Sequence, residues 1–189
     1  MLQDFDFSIL TWLQAHRTGF LDTVVPILTR LGDKGVFWIL VSVVLLCIPA
    51  RRRCGISVLA ALLAGLILGN GLLKHLFGRA RPCWLRPIED MLIAIPKDTS
   101  FPSCHALSCF AAAVVIFHYD RRLGVPALVI AGGVALSRLY LYVHFPTDVL
   151  AGTVLGIVIG LAVCTLLDRF VFPRFPALAP AREGQDGTI

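Results

Sequence analysis

Leu141–Gly152 reads LYVHFPTDVLAG. This stretch joins two long apolar segments and carries His144 and Asp148 four residues apart, with Pro146 between them. Proline is suited to the first position of a helix, which puts Asp148 in the first turn, where the helix dipole favours a carboxylate. At that spacing Asp148 can accept a hydrogen bond from one ring nitrogen of His144 and leave the other facing a ligand. A cap, a metal site and a catalytic pair all fit the local pattern, so the rest of the chain has to decide among them.

The chain has 189 residues, of which 57% are hydrophobic and only 15% charged. A soluble domain carries about 25% charged residues. The mean hydropathy of +0.81 agrees with the reading of an integral membrane protein. A net charge of +5 could point to nucleic acid, but no basic run is interleaved with aromatics in a polar segment. Basic loops on the cytoplasmic side of a membrane account for the charge, and no nucleic-acid partner is expected. The six cysteines show no CxxC spacing and read as small buried hydrophobes, not as a disulfide frame. The start, MLQDFDFSIL, is acidic and does not read as a removable signal peptide.

Five apolar runs can be marked: Gly35–Ala50, Ile56–Leu73, Cys104–Tyr119, Gly124–Tyr142 and Thr147–Leu167. They are apolar on all sides, unlike the alternating strands of a barrel. Small residues recur in AGLILGNG and LAGTVLGIVIG and would let helices approach closely. The fold class expected is therefore all-α, a polytopic membrane helix bundle of about five transmembrane helices. Residues 1–33 repeat Phe5, Ile9, Trp12 and Leu13 at helical spacing and read as an N-terminal amphipathic interfacial segment. A tilted sixth span over roughly residues 5–31 is the alternative. The core is placed at residues 34–170, and residues 171–189, rich in proline, alanine and polar residues, read as a flexible cytoplasmic tail. Arg51–Arg53, Arg121–Arg122 and Arg169 all follow odd-numbered runs and would share the cytoplasmic side.

That topology gathers three other segments at the opposite, outer face. They are KHLFGRARP (Lys74–Pro82), PSCH (Pro102–His105) and SRLYLYVHFPTD (Ser137–Asp148). Together they supply Lys74, Arg81 and Arg138 as cations, Ser103 as a hydroxyl, two histidines and one carboxylate. Ionisable groups at membrane depth are costly, so such a cluster is a functional candidate. Three cations and a hydroxyl suit phosphate, whose oxygens accept charge-assisted hydrogen bonds. A helix starting at Ser103 would add free backbone N–H groups.

The motifs K-x6-RP, PS-x-H and SR-x5-H-x3-D resemble the three-part signature of the type 2 phosphatidic acid phosphatase family, membrane lipid phosphatases related to the vanadium haloperoxidases. The resemblance covers roughly residues 34–167. It implies that Lys74, Arg81, Ser103 and Arg138 bind phosphoryl oxygens. It also implies that His144 attacks phosphorus to give a phosphohistidine, that His105 protonates the leaving group, that Asp148 orients His144, and that neither metal nor cofactor is needed. The partner implied is a membrane lipid phosphate, with undecaprenyl diphosphate the best guess. Phosphatidic acid, phosphatidylglycerol phosphate and lipid A phosphates, and phosphotransfer between lipids, use the same residues. One departure is Cys104, which stands where the pattern has glycine.

Blander readings accompany these. Lys74 and Arg81 could snorkel to headgroups, and Arg79, Arg86 and Lys97 read as solvated or headgroup-facing. His75 reads as a packing residue and His118 as remote from the site. A zinc site of His105, His144 and Asp148 would place a dication among three cations. An anion transporter would have its charges nearer the midplane and would show an inverted repeat, which is not evident here.

Overall fold

The computed structural model describes residues 2–176. Among them all regular structure is helical: α1 (Leu2–Ala15), α2 (Gly19–Thr29), α3 (Val36–Cys47), α4 (Arg52–Gly65), α5 (Lys74–Phe77), α6 (Pro82–Leu85), α7 (Cys104–Tyr119), α8 (Arg121–Tyr140) and α9 (Pro146–Leu166). Most of the predicted tail lies outside the described residues.

The boundaries follow local chemistry. Asp120 accepts from the backbone N–H groups of Arg122 and Leu123 and so caps α8, which also ends α7 one residue earlier. Pro146 occupies the first turn of α9, as its fixed φ favours. Gly78, with φ +55°, ends α5 in the left-handed conformation that glycine tolerates. Between α4 and α5 the helix continues through Leu66–Leu73 in the wider π geometry, across Gly69, Asn70 and Gly71. Such insertions recur at functional sites, and this one leads directly into Lys74.

α7 is the centre of the bundle and packs against α4, α8 and α9. Half of its buried residues are alanines (Ala106, Ala111, Ala112 and Ala113), and the others are Leu107, Cys109, Val115 and Ile116. Gly152, Gly156 and Gly160 of α9 lie against the α7 backbone. A Cβ at Gly152 would come 2.4 Å from the carbonyl oxygen of Ser103, and one at Gly156 would come 2.4 Å from that of Leu107. The two helices therefore touch backbone to backbone. Outward faces carry Leu63, Leu66, Val129, Leu136, Leu150, Val154 and Val158, all exposed, the surface expected where lipid is the solvent.

Among the described residues, three helical stretches are long and apolar enough to cross a membrane by length and composition: Pro49–Leu85, Arg121–Tyr140 and Pro146–Val171. The remaining two predicted spans form apolar helices that are shorter, α7 with 16 residues and α3 with 12. Pro102 and Asp120 bound α7 at its two ends, and its position inside the bundle relieves it of matching the lipid thickness alone.

Two short helices, not one tilted span, occupy the N-terminal segment. They bury Phe7 and Leu10 while exposing Phe5, Trp12, Phe20 and Ile27. Polar ties hold them to the end of α8: Gln14 donates to the carbonyl of Tyr140 at 2.9 Å, and the Tyr140 hydroxyl donates to Asp22 at 2.7 Å. The arginine-rich end is closed separately by Arg51–Asp120 at 3.1 Å and by the donation from Tyr119 to Asp168 at 2.8 Å.

Candidate active site

The motif segments converge on a cavity of about 530 Å³. Its walls include Lys74, Arg81, His105, Arg138 and His144. Ser103 and Asp148 are fully buried beside it, and the backbone N–H of Ser103 donates to the carbonyl of Asp148 at 3.1 Å, joining the starts of α7 and α9.

His144 lies in the connection between α8 and α9 and is buried. Arg81 approaches its Nε2 through Nη1 at 3.1 Å. A guanidinium can only donate, so Nε2 accepts and the ring proton belongs on Nδ1. Nδ1 faces the Ser100 hydroxyl at 3.4 Å, and Ser100 in turn donates to Oδ2 of Asp148 at 2.5 Å. The Asp148 carboxylate itself is 3.7 Å from Nδ1. The direct His144–Asp148 hydrogen bond expected from their spacing is therefore replaced by a relay through Ser100. Burial pushes the His144 imidazole down to about 3, with Arg81 and Arg138 acting in the same direction against the pull of Asp148. The ring is thus neutral at neutral pH, with the Nε2 lone pair on the side of Arg81.

Asp148 is satisfied on both oxygens. Oδ2 also accepts the backbone N–H of Phe145 at 3.0 Å, and Oδ1 accepts Arg79 Nη1 at 2.5 Å. Arg79 was expected among the solvated or headgroup-facing residues. Instead it bridges Asp148 and the fully buried Asp6 of α1 at 2.8 Å, with its guanidinium 4.1 Å from the centre of the Phe145 ring. Two buried carboxylates demand a cation, and that demand outweighs hydration of the arginine. Thr147 completes the knot by donating to Asp6 at 2.7 Å.

The cations have partners of two kinds. Asp98 pairs with Lys74 and accepts Arg81 Nη2 at 2.9 Å. Burial works to raise the Asp98 carboxyl, but the hydrogen bond from Lys74 and the charges of Arg81 and Lys74 prevail and hold it at about 2. Arg81 is also fixed by backbone carbonyls, Asp98 at 2.6 Å and Val143 at 2.8 Å. Arg138 donates from Nη1 to Thr29 at 2.7 Å. Its Nε and the Ser103 hydroxyl are buried with no protein partner among the described residues. Orphaned donors of this kind are costly, and an anion's oxygens would satisfy them.

His105, in the first turn of α7, pairs through Nε2 with Oδ1 of Asp33 at 2.9 Å. The two histidines therefore have separate carboxylates. Cys104 turns its thiol to Asn70 at 2.7 Å, towards the π-helical stretch. His75 is exposed, contrary to its expected packing role, and His118 pairs with Asp168 at the opposite end, 3.0 Å away. Ser100 and Asp98 lie shortly before the PS-x-H motif, and their polarity near it was the one local signal available for them. Asp6, Thr29 and Asp33 gave none, because they meet the site only through the fold.

The motif segments thus meet in a cationic, histidine-bearing pocket at one end of a helical membrane bundle. The chain belongs to the PAP2 superfamily, whose family model matches residues 53–172. It is 37% identical over 143 residues to the decaprenylphosphoryl-5-phosphoribose phosphatase of Mycolicibacterium smegmatis, covering 73% of this chain and 74% of the relative. It is 28% identical over 153 residues to an undecaprenyl-diphosphatase of Sulfolobus acidocaldarius, covering 80% and 73%. Among solved structures it resembles the PAP2-type phosphatidylglycerolphosphate phosphatase of Bacillus subtilis, with a TM-score of 0.74 and 26% identity, covering 89% of this chain and 87% of that one.

Proposed function

We propose that the chain hydrolyses a phosphate or diphosphate carried on a polyprenyl lipid, with undecaprenyl diphosphate the best single candidate, through a phosphohistidine on His144 and without a metal ion. The observation that carries the reading is the arrangement around His144: a neutral Nε2 held beside Arg81, with Ser103 Oγ and Arg138 Nε buried close by as donors without a protein partner among the described residues. Phosphoryl oxygens would take up those donors, together with Lys74 and Arg81, and charge developing on them would be met by groups already in place. Nε2 then bonds to phosphorus as the bond to the leaving oxygen breaks. The resulting positive ring is stabilised through Nδ1–H, Ser100 and Asp148. His105 donates a proton to the leaving oxygen and later takes one from the attacking water.

The polyprenyl tail is suggested by the relatives, one named a decaprenylphosphoryl-5-phosphoribose phosphatase and the other an undecaprenyl-diphosphatase. The exposed apolar faces of the spans allow such a tail to reach the site sideways from the bilayer. The arginine-rich end would face the cytoplasm and the cavity would face outwards, across the inner membrane of a bacterium. Purified protein in detergent, offered undecaprenyl diphosphate, a polyprenyl-linked sugar phosphate, phosphatidic acid, phosphatidylglycerol phosphate and lipid A, should release phosphate fastest from a polyprenyl substrate. Equal release from all five, or from none, would reject the substrate class. Impermeant thiol labelling of single cysteines near Glu89 but not near Arg121 in intact cells would support the orientation, and the reverse pattern would overturn it.

A further inference from the structure

The three motifs leave His105 without a companion, yet the structure supplies one from the turn between α2 and α3. Arg30–Gly35 forms a 3₁₀ turn interrupted at Asp33, whose ψ of 118° swings the chain out of helical geometry. Lys34 and Gly35 follow with φ of 51° and 68°. The left-handed region is uncommon for a lysine and is paid for where the surroundings dictate it. On the N-terminal side of this bend, Gly32 and Thr29 meet His105 and Arg138. A Cβ at Gly32 would come 2.6 Å from Cδ2 of His105 and 2.8 Å from Cγ1 of Val134, so only glycine lets the chain run this close to the ring. Thr29, just before the turn, accepts from Arg138 at 2.7 Å. The turn is thus anchored on both sides, and the residue beside Gly32 delivers its carboxylate to His105 Nε2 at 2.9 Å. Asp33 lines the same cavity as His144 and Arg81. It precedes residues 53–172, the part matched by the family model.

We propose that Asp33 is the positioning residue for His105: it holds Nε2–H, presents Nδ1 to the leaving group, and stabilises the imidazolium before its proton is given up. This rests on the reading of His105 as the general acid. In the first step the His144–phosphorus bond forms and the bond from phosphorus to the leaving oxygen breaks, and that oxygen takes the proton from Nδ1. His105 is left neutral, with Nε2–H still on Asp33. In the second step water bonds to phosphorus as the phosphorus–nitrogen bond breaks, and the water's proton returns to Nδ1. The site therefore holds two histidine–carboxylate pairs, one for the nucleophile and one for the acid, and the second comes from a turn that the motifs do not include.

The test compares leaving groups. Full-length Asp33→Asn, Asp33→Ala and His105→Ala are assayed with farnesyl monophosphate, whose alcohol needs protonation, and with p-nitrophenyl phosphate, whose phenolate needs little. Asn keeps an acceptor for Nε2–H and lacks the charge, so Asp33→Asn remains informative should Asp33→Ala fail to fold. Expected for Asp33→Asn is a kcat loss of roughly 10–100-fold on the prenyl ester and about threefold on the aryl ester, with KM little changed. Added to His105→Ala, the same substitution should cost nothing further on the prenyl ester. An equal loss on both substrates, no loss, or a fully additive loss in the double variant would overturn the role of Asp33 while leaving that of His105 intact. Equal losses in His105→Ala itself would instead reject the general-acid reading beneath it.

Discussion

Ser100 donates to Asp148 across 2.5 Å, and both side chains are completely buried. The hydroxyl thereby stands between the carboxylate and Nδ1 of His144, 3.4 Å from the ring nitrogen. Ser100→Ala removes the relay but leaves Asp148 held by Arg79 and Phe145. The expected result is a drop in kcat of roughly 10–100-fold with KM little altered, whereas Asp148→Asn should cost on the order of 10²–10⁴-fold. Steady-state kinetics on one lipid substrate would check both, and a Ser100→Ala enzyme with wild-type kcat would remove the serine from the relay.

A phosphohistidine on His144 has a direct signature. Acid-quenched reactions with phosphate-labelled substrate should yield an acid-labile adduct in the wild type and none in His144→Ala, and the adduct should map to His144 by peptide analysis. Turnover should survive a strong chelator and be inhibited by vanadate, which mimics five-coordinate phosphorus. Activity lost with EDTA and regained with zinc or magnesium would favour metal chemistry.

Arg79 bridges the buried carboxylates of Asp6 and Asp148. Removing one member of a buried ionic set leaves an uncompensated charge and typically costs about 3–5 kcal/mol. Arg79→Ala should therefore lower unfolding stability by that order, as measured by denaturation in detergent. Asp6→Asn in the Arg79→Ala background should recover part of the loss, because one of the two stranded charges is gone. No recovery would argue that Asp6 stabilises by some means other than its charge.

Asp98 makes acid stability dependent on pH in a defined window. Its carboxyl is depressed from 3.8 to about 2 in the folded chain. Its contribution is therefore complete above about pH 4 and is lost as the pH falls through about 2, because the unfolded chain takes up the proton first. Asp98→Asn should be less stable than the wild type at pH 5–7, and the difference should shrink between about pH 4 and 2. The same variant should bind inorganic phosphate more tightly at neutral pH, since Lys74 and Arg81 would no longer be held by a carboxylate. A difference in stability that persists unchanged at pH 2 would show that the charge of Asp98 is not its source.

Much of the bundle was legible because lipid imposes a simple rule on sequence: long apolar runs become helices, and their ends carry the polar residues. The run marked at Cys104–Tyr119 coincides with α7, and Thr147–Leu167 differs from α9 by one residue at each end. The motif residues were legible for a related reason, since each sits at a helix end and topology alone brings those ends together. Asp6 and Asp33 were not, because their roles depend on where α1 and the α2–α3 turn dock, and no spacing in the chain encodes a partner 141 or 72 residues away. Arg79 was misjudged for a different reason. Hydration is the ordinary fate of an arginine near a membrane surface, and only the unforeseen proximity of two buried carboxylates reverses it.

The glycines of α9 have a consequence for how such a molecule can diversify. Because Gly152 and Gly156 press directly on the Ser103 and Leu107 carbonyls, the offset between α7 and α9 is set by main chain, not by side chains that could be exchanged or repacked. The helix starts bearing Ser103 and His105 on one side, and Asp148 on the other, are locked like the jaws of a gauge block. Leu150, Val154 and Val158 of the same helix are exposed and bear none of that constraint. The lipid-facing side of the same helix can thus drift, and with it the preferred length or branching of a tail, while the reacting groups keep their separation.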